Sequence, residues 1–344
     1  MTTVAGTKSM NPADSRFRQA LQNFVDFLPE IETLSLPFTQ KQLVKIDCLR
    51  LDKIHPFVSG NKWYKLKYSI LHGYQAGKTQ FISFGGAYSN HLHALAFAGK
   101  YLNVQTIGIV RGEPAKPLNP TLQDCQDWGM TLHWIARDQY RLLAEQNESS
   151  QFAMQPFLNL YPDAWVIPEG GAGEDGVLGV EMLFNALHHK GLLDYDYVAT
   201  PVGSGTTLAG IIRARIGRAK CLGFSALKGA VDLEQRVERG LRGASHVNEW
   251  SISHEYHFGG FAKMNERLRT FISNTYQQSG LLLDPVYTGK MLYGLAEYIH
   301  QGRIPPGARV LMVHTGGLQG WRGFADAPQI FDDGTDKPFA GAES

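Results

Sequence analysis

The sequence predicts an α/β protein with mostly parallel sheets covered by helices. Short apolar runs alternate with helical runs along most of the chain, the rhythm of strand–helix–strand units. Two of the strand-to-helix junctions are glycine turns. The composition, 43% hydrophobic and 19% charged over 344 residues, is that of a globular protein long enough for about two domains. Thirty-three Lys and Arg face 32 Asp and Glu, so the whole chain carries no basic footprint for nucleic acid. No stretch approaches the length of apolar residues that spans a bilayer, and Met1 to Arg16 lacks the apolar segment of a signal peptide. Cys48, Cys125 and Cys221 stand far apart with no CxxC pair, which excludes a zinc ribbon and a disulfide framework. A reducing, cytoplasmic setting is the expectation.

The elements follow in order. Val44 to Leu51 reads as a strand that leads through His55-Pro56 and Ser59-Gly60-Asn61-Lys62 into a helix running past Tyr68 and His72. Thr79 to Phe84 is a strand, Ser89 to Tyr101 a helix, and Val104 to Val110 a strand. Thr121 to Trp128 is a helix, with strands at Thr131 to Ile135 and Trp165 to Pro168. In Gly176 to His188, Leu178, Met182 and Leu183 are spaced for one buried helical face. Strands then fall at Tyr197 to Val202, Cys221 to Ser225 and Arg309 to His314, with helices at Thr206 to Arg215 and Asp232 to Arg239. No fixed-period repeat is present. The acidic, Gly- and Pro-containing end of the chain, 331–344, reads as a loosely held tail.

Three segments carry candidate chemistry. Gly203-Ser204-Gly205-Thr206-Thr207 follows an apolar strand and opens a helix, so free N–H groups and three hydroxyls converge where an anion is favoured. Read alone, the loop fits either a phosphate site or a plain capped helix start. It is neither a Walker loop nor GxGxxG, because Leu208 stands at the third glycine position. Gly85-Gly86-Ala87-Tyr88-Ser89-Asn90-His91 repeats the layout, with Ser89 as N-cap or as a donor to a ligand oxygen. Lys62 sits at a glycine turn among Lys65 and Lys67, a setting that favours a neutral, nucleophilic amine. HExxH and GxSxG are absent, and His91, His93, His188 and His189 have no metal-ligand spacing.

Taken in order, these segments resemble the 1-aminocyclopropane-1-carboxylate deaminase and D-cysteine desulfhydrase family, pyridoxal phosphate enzymes of the tryptophan synthase β fold (fold type II). Asp284-Pro285-Val286-Tyr287-Thr288-Gly289-Lys290 and His314-Thr315-Gly316-Gly317 extend the match to about residues 40 to 320. The resemblance implies two open, twisted, mostly parallel sheets: a larger unit of 1–63 plus 176–330 that binds pyridoxal 5'-phosphate, and a smaller inserted unit of 64–175. It implies that Lys62 carries the cofactor and that Lys65 neutralises its phosphate, cradled by Gly203, Ser204, Gly205, Thr206 and Thr207. Asn90 is implied for the phenolic oxygen and Thr315 for the pyridine nitrogen. Ser89, Asn90, His91, Tyr287 and Thr288 are implied around the substrate, with Lys62, Tyr287 and Ser89 taking part in the chemistry. A homodimer is also implied.

The chain departs from the cyclopropane deaminases of this family at two places. They carry Glu after the tyrosine and Leu between His and Gly-Gly, where this chain has Thr288 and Thr315. A hydroxyl beside the pyridine nitrogen gives a weaker electron sink than a carboxylate, which suits expulsion of a good leaving group. Tyr64 stands where an Arg is usual, and Gly260-Phe261-Ala262 where a Gly-Tyr-Gly turn is usual. The expectation is therefore a D-cysteine desulfhydrase-type lyase acting on a small amino acid. The cyclopropane deaminase reaction and a non-catalytic cofactor-binding protein are the alternatives.

Overall fold

A computed structural model describes residues 12–324 apart from 26, 145–147 and 246. The strands are β1 (Ile31–Leu34), β2 (Lys45–Arg50), β3 (Gln80–Gly85), β4 (Gln105–Arg111), β5 (Thr131–Ile135), β6 (Trp165–Val166), β7 (Tyr197–Val202), β8 (Lys220–Ser225), β9 (Trp250–Ser253) and β10 (Arg309–His314). They form a six-stranded sheet in the order β1-β2-β10-β7-β8-β9 and a four-stranded sheet in the order β5-β4-β3-β6. All pairings are parallel except β1 with β2. The four-stranded sheet draws its strands from one continuous stretch of chain, and the six-stranded sheet from the chain on either side of it.

Helices cover both faces of each sheet, which is why the inner strands are apolar in consecutive positions rather than alternately. The two-residue period then sorts their side chains between cores. Along β10, Val310 and Met312 enter one core with Phe224, Met291 and Leu292. Leu311 and Val313 enter the opposite core with Phe184, Val198 and Leu208. In the smaller sheet Phe81 faces Leu92 and Leu95, while Ile82 and Phe84 face Ile107 and Ile109.

Strand ends matter most for function. In open parallel sheets, ligands collect beyond the carboxyl ends of strands where helices begin. The segments after β2, β3, β7 and β10 contain Lys62, Ser89, Gly205 and Thr315, respectively. Helix Lys62–Gln75 runs from this region along helix Glu174–His189. A Cβ on Gly179 would stand 1.8 Å from the Tyr64 carbonyl oxygen, so glycine sets how closely these helices approach.

Some elements differ from the sequence expectation. The strand expected at Trp165 to Pro168 shortens to two residues, although Ile167 still donates its N–H to Ile82 O at 2.8 Å. The helix from Thr206 ends at Arg213, because Ala214 is extended. Helices Arg137–Ala144, Glu148–Leu160, Glu266–Ser279 and Thr288–His300, and strands β1 and β9, were not expected. The tail expected at 331–344 lies outside the described residues. Among the described residues, no helix is long and apolar enough to cross a membrane.

Gly179→Ala forces the two helices apart and lowers stability by about 1–3 kcal/mol. Urea denaturation checks this, and an unchanged midpoint would contradict the close-packed junction.

Candidate active site

The site begins with two backbone loops pressed together. Gly60 has φ +84°, and a Cβ on it would lie 2.0 Å from the Thr315 carbonyl oxygen. A Cβ on Gly316 would lie 2.6 Å from Gly60 Cα. Only glycine permits this approach, and Asn61 N–H seals it by donating to Thr315 O at 3.1 Å. Lys62, the first residue of the next helix, is thereby fixed beside Thr315, which is 8% exposed at the end of β10.

The Lys62 amine donates to Asn61 Oδ1 at 3.1 Å. Its side chain keeps partial contact with solvent, yet protein surrounds the amine closely enough to depress its pKa to about 8. Desolvation drives the shift, and the Asp284 charge opposes it in part. Lys65, 3% exposed, donates to Ser204 Oγ at 3.1 Å. Burial and then the Lys62 charge hold its pKa well below the usual lysine range.

The acceptor of Lys65 belongs to the glycine loop after β7. Ser204 Oγ lies 3.0 Å from Thr206 Oγ1, and Asn61 Nδ2 donates to Thr207 Oγ1 at 2.8 Å. Gly205, at φ +84°, precedes helix Thr206–Arg213 and leaves its first N–H groups free. Two poorly hydrated lysine amines, three hydroxyls and a helix N-terminus thus converge. Neither lysine makes an ion pair among the described residues. With the Asp284 charge acting on Lys62 only from a distance, this donor set is left under-compensated and fits a phosphate monoester. With the Lys62 amine beside it, the cradle fits pyridoxal phosphate.

From the other sheet, Ser89 caps helix Asn90–Leu102, its Oγ accepting from Leu92 N–H at 3.2 Å. Ser89 and Asn90 are both half-buried. His91 is 2% exposed, and its Nε2 lies 2.8 Å from Ser83 Oγ. Because Ser83 gives its proton to Ile167 O at 2.7 Å, Nε2 of His91 is the donor. Nδ1 is left as an unpartnered buried acceptor. Burial, then the Lys62 and Lys65 charges, press its pKa well below the usual histidine range. This neutral imidazole packs beside Lys65: a Cβ on Gly171 would lie 2.8 Å from Lys65 Cβ and 3.5 Å from His91 Cε1.

The third wall is the start of helix Thr288–His300. Asp284, 1% exposed, accepts from the N–H groups of Val286, Tyr287 and Thr288 at 2.9, 2.7 and 2.8 Å. It also accepts from the Thr288 hydroxyl at 2.6 Å. Thr288 is fully buried and its hydroxyl is committed to this cap. Tyr287 leans on the glycine loop: a Cβ on Gly203 would lie 3.2 Å from its Cε1. Burial, and then the Asp284 and Glu169 charges, raise the Tyr287 pKa, so the phenol stays protonated. The Phe261 ring, half exposed, meets Tyr287 edge-on with centroids 6.1 Å apart.

Sequence reasoning missed four supporting residues. Asn61 ties the Lys62 turn to Thr207, and Asp284 holds the Tyr287 turn. Lys290, 1% exposed, donates to Gly260 O at 2.7 Å, pinning the turn that bears Phe261. Gln319 reaches Asn90 from the far end of the chain. Of these, Asp284 alone had a readable signal, an Asp placed to cap a helix.

The profile of the family described as pyridoxal-phosphate dependent enzyme matches residues 34–316. The chain belongs to this family. It is 29% identical over 279 residues to a putative 1-aminocyclopropane-1-carboxylate deaminase of Pyrococcus abyssi, covering 76% of this chain and 81% of that protein. It is 28% identical over 285 residues to the mitochondrial bifunctional D-cysteine desulfhydrase/1-aminocyclopropane-1-carboxylate deaminase of Arabidopsis thaliana, covering 76% and 70%. A D-cysteine desulfhydrase of Klebsiella pneumoniae is 24% identical over 327 residues, covering 87% and 96%. A crystal structure described as an ACC deaminase homologue superposes with a TM-score of 0.74 at 23% identity, covering 93% of this chain and all of that one. That likeness establishes the shared fold, type II among the pyridoxal phosphate enzymes.

The lysine shift has a thermodynamic consequence. The folded pKa of about 8 lies below the unfolded lysine value, so protonating Lys62 opposes folding. The penalty is fully present below pH 8 and disappears as pH rises above the unfolded value, about 10.4. Apoprotein carrying Lys62→Met therefore melts higher than wild type at pH 7, and the gap narrows by pH 10. A gap that is constant with pH contradicts the buried-amine account.

Proposed function

We propose that the protein is a pyridoxal phosphate-dependent lyase that eliminates the β-substituent of a small amino acid, D-cysteine foremost, giving pyruvate, ammonia and sulfide. The observation that carries the choice is that, among the described residues, the carboxylates near the end of β10 and the start of helix Thr288–His300 are already engaged, Asp52 by Arg50 and His314 and Asp284 by its own loop. Thr315 stands after the strand, Thr288 is spent on its cap, and both oxygens of Asp284 are engaged by their own loop. A pyridine nitrogen facing a hydroxyl remains closer to neutral. This supports a reaction whose leaving group departs readily over the opening of a cyclopropane ring.

In this assignment Lys65, Gly203, Ser204, Gly205, Thr206 and Thr207 hold the phosphate, Lys62 the aldehyde carbon, Asn90 the phenolic oxygen and Thr315 the ring nitrogen. When bound, the cofactor supplies an electron sink for charge developing on the substrate α-carbon. Ser89 directs its hydroxyl proton to the substrate carboxylate, since its oxygen already accepts from the helix. Lys62 takes the α-proton. With a pKa of about 8, roughly a tenth of the free amine is neutral at pH 7, and the proton it gains is not held too tightly to give back. Tyr287, kept protonated by its surroundings, donates to the departing sulfur. Water then completes the conversion of the remaining three-carbon fragment to pyruvate and ammonia.

We assign His91 and Thr288 supporting roles in place of the substrate contacts expected for them. His91 backs the lysine pair, and Thr288 stiffens the turn that aims Tyr287. Phe261 gives the cleft an apolar wall next to Tyr287, which favours an uncharged leaving group. We take 64–175 as the smaller inserted unit and 1–63 with 176–330 as the larger.

Reconstituted protein supplied with D-cysteine should release sulfide and pyruvate in equal amounts. Under the same conditions it should yield little 2-oxobutanoate from the cyclopropane amino acid. The reverse ranking would overturn the choice of substrate. Lys62→Ala should lower the rate by about 100-fold or more, and Tyr287→Phe should lower kcat by a similar factor with little change in KM. A Tyr287→Phe variant with wild-type kcat would remove the phenol from the proton path.

A further inference from the structure

The short helical turn Leu318–Gly323 places the amide of Gln319 among three groups of the smaller sheet's helices and loops. Its Oε1 accepts from the Thr121 hydroxyl. Its Nε2 donates to Tyr88 O at 3.2 Å and to Asn90 Oδ1. The two ends of a primary amide are nearly alike in shape, so neighbours decide which end faces where. Here the decision has an unambiguous source, because the Tyr88 main-chain carbonyl can only accept. That fixes the Gln319 amino group toward Asn90, and the Asn90 oxygen toward Gln319. The Asn90 amino group is then the end left over. It lies against the turn after Thr315, where a Cβ on Gly317 would stand 2.9 Å from Nδ2.

We propose that Gln319 is a positioning residue that sets the polarity of Asn90, turning an N–H donor toward the cofactor's phenolic oxygen. The proposal rests on the assignment of Asn90 to that oxygen. A donor there stabilises the ionised phenol, whereas a carbonyl oxygen in its place would repel it. Gln319 is itself held firmly. Three residues on, Arg322 binds Asp124 Oδ2, which also lies 2.9 Å from His93 Nε2. The turn is thus fastened to helices Asn90–Leu102 and Pro120–Asp127 at two points. A relay from Thr121 through Gln319 to Asn90 lets the two sides of the cleft jointly define one hydrogen bond.

Gln319→Glu tests this with almost no change of shape. A carboxylate can only accept, so Asn90 must rotate to donate to it and presents its oxygen to the cleft. Titration of apoprotein with pyridoxal phosphate should show affinity lowered ~10- to 100-fold. The absorbance band of the bound cofactor should titrate at higher pH than in wild type, because the phenolate has lost its donor. Gln319→Met, which removes the anchor without reversing it, should shift both readouts less. In an Asn90→Ala background, either Gln319 change should alter affinity by less than about twofold, since the relay has no recipient. Melting of each apoprotein identifies any variant that fails to fold, and the Gln319→Met cycle then decides. Wild-type affinity and titration in folded Gln319→Glu overturn the proposal, as does an equal loss with and without Asn90. If wild-type chain takes up no pyridoxal phosphate, the functional assignment fails along with it.

Discussion

Two lysine side chains three residues apart on one helix, Lys65 buried and Lys62 partly so, and neither ion-paired with a carboxylate among the described residues, are the constraint around which this molecule is arranged. Each depresses its own pKa by desolvation, and the Lys62 charge further lowers that of Lys65. Left alone, such a pair is unfavourable. The glycine loop after β7 offers hydroxyls and free N–H groups at the same spot, so the arrangement is complete once an anion joins it. In the proposed assignment the cost of burial and the affinity for a phosphate are two aspects of one electrostatic situation.

Close backbone packing makes that situation reproducible. Gly60 and Gly316 let two loops touch with no side chain between them, which fixes Lys62 against Thr315. Asp284 gathers three N–H groups and a hydroxyl to freeze the turn that carries Tyr287. Lys290 does the same for the turn that carries Phe261. Tyr287 and Phe261 thus each sit on a turn held by a second, buried residue. In the proposed assignment the chemistry follows from the groups that remain: an amine able to take a proton, a phenol able to give one, and hydroxyls with no free carboxylate beside them.

The sequence made several inner strands legible because they are largely apolar runs bounded by turn residues, most clearly Val310 to Val313. It concealed β1 and β9, edge strands of four residues each, too short for a period-two pattern to stand out. Helix Thr288–His300 was hidden for the opposite reason. It is buried from Thr288 through Leu295, so it lacks the polar stripe that makes a 3.6-residue period visible. The glycine loops and Lys62 were readable as local patterns, and their convergence was anticipated only through family resemblance. The partners that tune them were not readable. Thr207 reaches Asn61 across 146 residues, and Gln319 reaches Asn90 across 229, distances at which no local pattern carries information.

The most direct test of the account is to load the purified chain with pyridoxal phosphate, reduce it with borohydride, and map the modified peptide by mass spectrometry. The account predicts a single phosphopyridoxyl adduct on Lys62, with Lys65 and Lys290 unmodified. An adduct on another lysine, or none after reconstitution, would contradict it.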